Sequence, residues 1–86
     1  MSEAYQIIFD RRAEKELQSL PQAEQKRIQK AVDSLASNPR PPGTIKMSGS
    51  TSWRVRVGDY RIIYDIQDAQ LIVMVIKIGH RRDIYR

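Results

Sequence analysis

Two periods run along the chain. Tyr5, Ile7 and Phe9 take every second position, which predicts a first strand over Ala4 to Phe9 with one apolar face. Asp10 follows and is expected to cap a helix by accepting a backbone N–H bond. Ala13, Leu17 and Leu20 then recur at helical spacing, and Pro21 closes that helix while suiting the first turn of the next. Ile28, Ala31, Val32, Leu35 and Ala36 form one apolar stripe of a second helix, with Lys26, Arg27, Gln29, Lys30 and Asp33 on its wet side. Asn38 to Gly43 reads NPRPPG, three prolines in six residues, and predicts a stiff surface loop.

Beyond the loop the period returns to two. Trp53, Val55 and Val57 alternate with Arg54 and Arg56; Tyr60, Ile62, Tyr64 and Ile66 alternate with Arg61, Ile63 and Asp65. Leu71 to Ile78 is apolar almost throughout, as a central strand covered on both faces would be. The order β-α-α-β-β-β predicts an α+β layer fold, two helices on one face of a small, mostly antiparallel four-stranded sheet. At 86 residues this is one domain, residues 1–86.

Gly58-Asp59 joins the first two strands after the loop. Glycine first in a two-residue connection signals a type II′ turn, which opposes Val57 to Tyr60, Arg56 to Arg61, Val55 to Ile62 and Arg54 to Ile63. Trp53, Val55, Val57, Tyr60, Ile62 and Tyr64 then face the helices, and Arg54, Arg56 and Arg61 share the other face. Directly opposed like charges cost some tenths of a kcal/mol. An anion over the pair accounts for that arrangement; a solvated arginine face, with side chains splayed in water, is the alternative.

Charge adds to this picture. Residues 1–44 carry seven basic and six acidic side chains, residues 45–86 eight and four, so the surplus lies in the arginine-rich second half. A localised positive surplus points to a polyanion or an acidic protein partner. The chain has no cysteine, which excludes disulfides and thiolate metal sites. Its longest apolar run, Leu71 to Ile76, is too short to span a bilayer, and MSEAYQ lacks the basic-then-apolar pattern of a secretory signal. A soluble cytoplasmic protein is expected.

The chain ends GHRRDIYR, where His80, Arg81, Arg82, Tyr85 and Arg86 crowd behind the last strand. SWRVRVGDYRIIYDI together with VIKIGHRRDIYR resembles the RelE branch of the RelE/ParE toxin superfamily, over essentially the whole chain. That resemblance implies a toxin of a type II toxin–antitoxin pair acting as a ribosome-dependent endoribonuclease on mRNA in the ribosomal A site. It implies a cognate antitoxin that silences it, operator DNA bound through that antitoxin, and no metal or other cofactor. Carried over by position, the family's hairpin residues match Arg54, Arg56 and Arg61, its arginine after the last strand matches Arg81, and its C-terminal aromatic matches Tyr85.

Family members cleave by attack of the 2′-OH on the neighbouring phosphate. On that chemistry Arg56 and Arg61 grip the phosphate, Arg81 meets developing charge, Arg54, Arg82 and Arg86 hold flanking backbone, and Tyr85 stacks a base. The base is open. Arg56 stands where some relatives carry Lys, and a guanidinium does not give up its proton in a protein, so it cannot serve. His80, the lone histidine, is of the residue type suited to proton transfer, yet a histidine beside a turn is more often structural. Alignment on the ribosome is the alternative source of rate. Two further readings stand beside the nuclease: a ParE-type toxin that poisons DNA gyrase without cutting RNA, and a decayed member that only binds nucleic acid. Ile63, Ile72, Met74, Ile76 and Ile78 are expected on the sheet face away from the helices, an apolar strip for an antitoxin segment or for the chain's own C-terminal residues.

Overall fold

The computed structural model describes residues 4–80. Its elements are β1 (Gln6–Phe9), α1 (Arg11–Gln18), α2 (Gln22–Ser34), β2 (Ile45–Lys46), β3 (Ser52–Val57), β4 (Tyr60–Gln67) and β5 (Ile72–His80), with a single 3₁₀ turn at Asp68–Gln70. The strands form one sheet in the order β1-β5-β4-β3-β2. β1 runs parallel to β5, and the other three pairings are antiparallel. The sheet thus has five strands rather than four. The extra one, β2, is a two-residue edge pairing of Ile45 with Arg54 and Lys46 with Trp53, too short to show an alternation in sequence.

Both helices pack on one face. Ala13 and Leu17 of α1, Ile28 and Val32 of α2, and Leu35 meet Ile62 and Tyr64 of β4 and Val73, Val75 and Ile78 of β5 in one buried cluster. Trp53, Val55, Val57 and Tyr60 pack against it, as the alternation of the hairpin requires. Asp10 does precede α1, but its side chain makes no cap bond. Its backbone serves instead, the N–H donating to Val75 O at 2.8 Å and the carbonyl accepting from Glu14 N at 3.0 Å.

Strand β5 departs most from expectation. Ile63 pairs with Lys77 and Tyr64 with Val75, so Ile76 is an extra residue, a β-bulge. Strict alternation from Val73 and Val75 would turn Ile78 outward; the bulge resets the count, and Ile78 is buried among the helices. Ile72, Met74 and Ile63 lie on the far face by register, each half-buried. The continuous apolar run therefore reflects one packed face and a change of parity, not a strand at the sheet's centre covered on both faces by described residues. The central strand is β4.

The proline loop is fastened at two points. Tyr64, fully buried, donates from its hydroxyl to Pro39 O at 2.7 Å. Arg40 lies over the Trp53 ring at 5.0 Å and pairs with Asp68 at 2.8 Å, and Tyr5 donates to the same carboxylate at 2.6 Å. Arg40 first, then Tyr5, hold the Asp68 carboxyl below the usual carboxylate range. Among the described residues no helix is long and apolar enough to cross a membrane.

Candidate functional site

The hairpin places its arginines as its turn dictates. Gly58 has φ +62°, and Asp59 is not among the residues of positive φ, the pattern a type II′ turn requires. Arg56 pairs with Arg61 and Arg54 with Ile63. A Cβ on Gly58 would meet the Arg27 guanidinium of α2 at 2.8 Å, the movable end of a long side chain, so it is the positive φ that reserves the position for glycine.

Arg54, Arg56 and Arg61 line one pocket of about 200 Å³, completed by Gly43 and Ile45. Arg56 is exposed, and its Nε donates to Gly58 O at 3.0 Å, which fixes the side chain against its own turn. Arg61 is half-buried. Its Nη1 is shut off from solvent and has no hydrogen-bond partner among the described residues. Asp65, the acid on this face of β4, does not satisfy it, because Asp65 Oδ1 is likewise buried and unbonded. A buried donor without an acceptor costs ~1–3 kcal/mol, more when charged. Here that donor stands beside a second guanidinium across the ladder. Folding alone gains nothing from this; an anion in the pocket would offset the repulsion between the opposed Arg56 and Arg61.

His80 is not brought to this pocket. Its ring meets Tyr60 edge-on, centroids 5.6 Å apart, and Tyr60 packs against the helix-side core. Residues directly opposed in a ladder project from the same face, and Tyr60 opposes His80 while Arg61 opposes Gly79. The bulge at Ile76 sets that parity, which alternation alone did not reveal. His80 and Tyr60 border a separate hollow of about 370 Å³ beside Glu16 and Leu20. Arg81, Arg82, Tyr85 and Arg86 lie outside the described residues.

Three contributors escaped the sequence. Ile45 and Gly43 line the pocket from the loop and β2, where no periodic signal exists. Glu16 reaches from α1 to the backbone of β5, a contact spanning 62 positions. Among the described residues no group of three or more His, Asp or Glu could hold a metal ion.

Comparison with known proteins gives this geometry a family. The model of the ParE toxin of type II toxin–antitoxin systems, parDE, matches residues 7–85. The chain is 33% identical to a RelE-like toxin protein of Escherichia coli, covering 94% of this chain and 90% of that one. A chain of the archaeal RelE–RelB complex from Pyrococcus horikoshii OT3 superposes with a TM-score of 0.82 at 30% identity, covering 96% of this chain and 99% of that chain. The isolated RelE toxin of Escherichia coli superposes with a TM-score of 0.79 at 28% identity, covering 95% and 92%. Matched nearly end to end by that family model, and sharing sequence and fold with RelE toxins, the chain belongs to the ParE toxin family and is a RelE-type toxin of the RelE/ParE superfamily, the toxin half of a type II toxin–antitoxin system.

Proposed function

We propose that this toxin is a ribosome-dependent, metal-independent endoribonuclease that cleaves translated mRNA in the ribosomal A site. The observation that carries the reading is the pocket shared by Arg54, Arg56 and Arg61, with Arg56 and Arg61 directly opposed across the ladder. Guanidinium forks donate in pairs to non-bridging phosphate oxygens, and they do so most strongly where water is excluded.

In the proposed reaction the 2′-oxygen attacks the adjacent phosphorus and the bond to the 5′-oxygen breaks. The products are a 2′,3′-cyclic phosphate and a 5′-OH. Arg56 and Arg61 hold the phosphate and neutralise the charge that builds on it. Arg81 meets the leaving oxygen, Arg54, Arg82 and Arg86 position flanking backbone, and Tyr85 stacks a base. With His80 turned toward Tyr60, no side chain of the described site serves as a strong base. The 2′-OH proton passes to water, the departing 5′-oxygen takes its proton from water, and alignment by the ribosome supplies the larger part of the rate, an effect worth ~7–11 kcal/mol. A cognate antitoxin neutralises the toxin, a reading supported by the RelE–RelB complex among its structural relatives. Through that antitoxin the pair binds its operator DNA.

The family model's own description, a ParE toxin, favours the second reading, a gyrase poison that leaves RNA intact. Induction of the parent chain, R61A and R81A in cells separates the two. Growth arrest by the parent alone, with codon-phased 5′ ends inside translated frames, is expected. Both variants should still fold and bind antitoxin. Retained toxicity in both variants overturns the nuclease, and DNA breaks with intact mRNA put the gyrase reading in its place.

A further inference from the structure

Strand β5 outruns its neighbour. β1 stops at Phe9, opposite Val75, and the N–H of Asp10 makes the last contact on that edge. Past this point β5 continues through the bulge to His80 with β4 as its only strand partner among the described residues. Its backbone groups on the other side need partners from elsewhere. Glu16 of α1 supplies one, its Oε1 accepting from Ile78 N at 3.0 Å in a partly buried setting.

The other claim on this carboxylate is weak. Arg12 Nε lies 3.9 Å from Oε2, and the Arg12 side chain is 69% exposed. A solvated pair at that distance contributes little. The Ile78 contact falls where position matters. Ile78 opposes Ile62, Gly79 opposes Arg61, and His80 opposes Tyr60, so three residues carry the end of β5 across the hairpin that bears the arginines. Arg81 is the next residue in the chain.

We propose that Glu16 is a positioning residue for the arginine site. Its carboxylate stands in for the missing continuation of β1 and fixes Ile78–His80 against β4, and so fixes the backbone that opposes Arg61. This rests on the nuclease reading and adds a residue to it that does not touch the RNA. Such a brace acts on turnover rather than on substrate capture, because small misplacements of catalytic groups lower the rate steeply.

The test compares Glu16→Gln, Glu16→Met and Arg12→Ala with the parent chain, in cleavage of mRNA on programmed ribosomes and in hydrogen exchange at the Ile78 amide. Gln keeps an acceptor oxygen; Met keeps the bulk and loses the acceptor. E16M is expected to lower kcat by about tenfold with KM nearly unchanged and to speed Ile78 exchange, at a melting temperature close to that of the parent. E16Q should stay within about twofold of the parent in both readouts, and R12A should match it. Full activity in E16M overturns the proposal, as does an E16Q loss equal to that of E16M. If E16M does not fold, the same comparison is made with E16A. A parent chain that cuts no mRNA overturns the nuclease reading, and this proposal with it. Parent activity together with an unimpaired E16M overturns this proposal alone.

Discussion

The two faces of the β3–β4 hairpin are built from one alternating stretch and answer to different demands. On the helix side Ile62 and Tyr64 are fully buried, and Val55 and Trp53 pack against the same cluster. Each of these positions is explained by apolar area removed from water. On the far side the same ladder sets Arg56 against Arg61 and leaves a guanidinium nitrogen buried without an acceptor. Packing does not explain that face, and folding would be easier without it. The proposed function accounts for that cost by giving these arginines a phosphate to bind.

That contrast can be broken from either side. The largest effect belongs to the packed face. Ile62→Ala should cost about 2–5 kcal/mol of stability, read by chemical denaturation, since the site is wholly enclosed. In a domain whose total stability is on the order of 5–15 kcal/mol, this approaches unfolding. Next comes the arginine face. Arg61→Ala should lower cleavage by about 10²–10³ while stability holds or rises slightly, because the variant removes both a repulsion and an unsatisfied donor. A matching loss of stability in R61A would erase the distinction between the faces.

A smaller effect tests the loop behind the pocket. Tyr64→Phe removes the hydroxyl that donates to Pro39 and should cost about 1–2 kcal/mol, with a modest loss of cleavage as Gly43 and Ile45 loosen. The smallest is the Asp68 tether. Arg40 and Tyr5 depress its pKa in the folded chain, so its contribution is complete above the unfolded carboxylate value. The contribution fades as pH falls through the lower folded value. Melting temperatures of the parent and Asp68→Asn should therefore differ slightly at neutral pH and converge in acid.

What could be read in advance follows from how local each signal is. The hairpin register was legible because a two-residue glycine turn admits one pairing, and that pairing alone gathers Arg54, Arg56 and Arg61. The stripe of α2 was legible for the same reason, Ile28 and Val32 lying one turn apart. The parallel pairing of β1 with β5 joins residues 66 positions apart, Gln6 with Ile72, and leaves no local mark. The bulge at Ile76 is silent in an unbroken apolar run, so Ile78 was expected on the wrong face and His80 was considered beside the arginines. Glu16 sits at an ordinary helix-surface position, and only the tertiary fold gives it the Ile78 amide.

Ile76 is a spare residue. Without it, Val75 and Lys77 would follow one another in ordinary pleat, and Lys77, Ile78 and Gly79 would keep both their partners and their inward or outward sense. What the surplus residue changes is aim, since an inserted residue bends and overtwists the strand that holds it. A single residue at this point thus turns the direction in which β5 runs on toward His80, while the hydrophobic interior keeps its pairing.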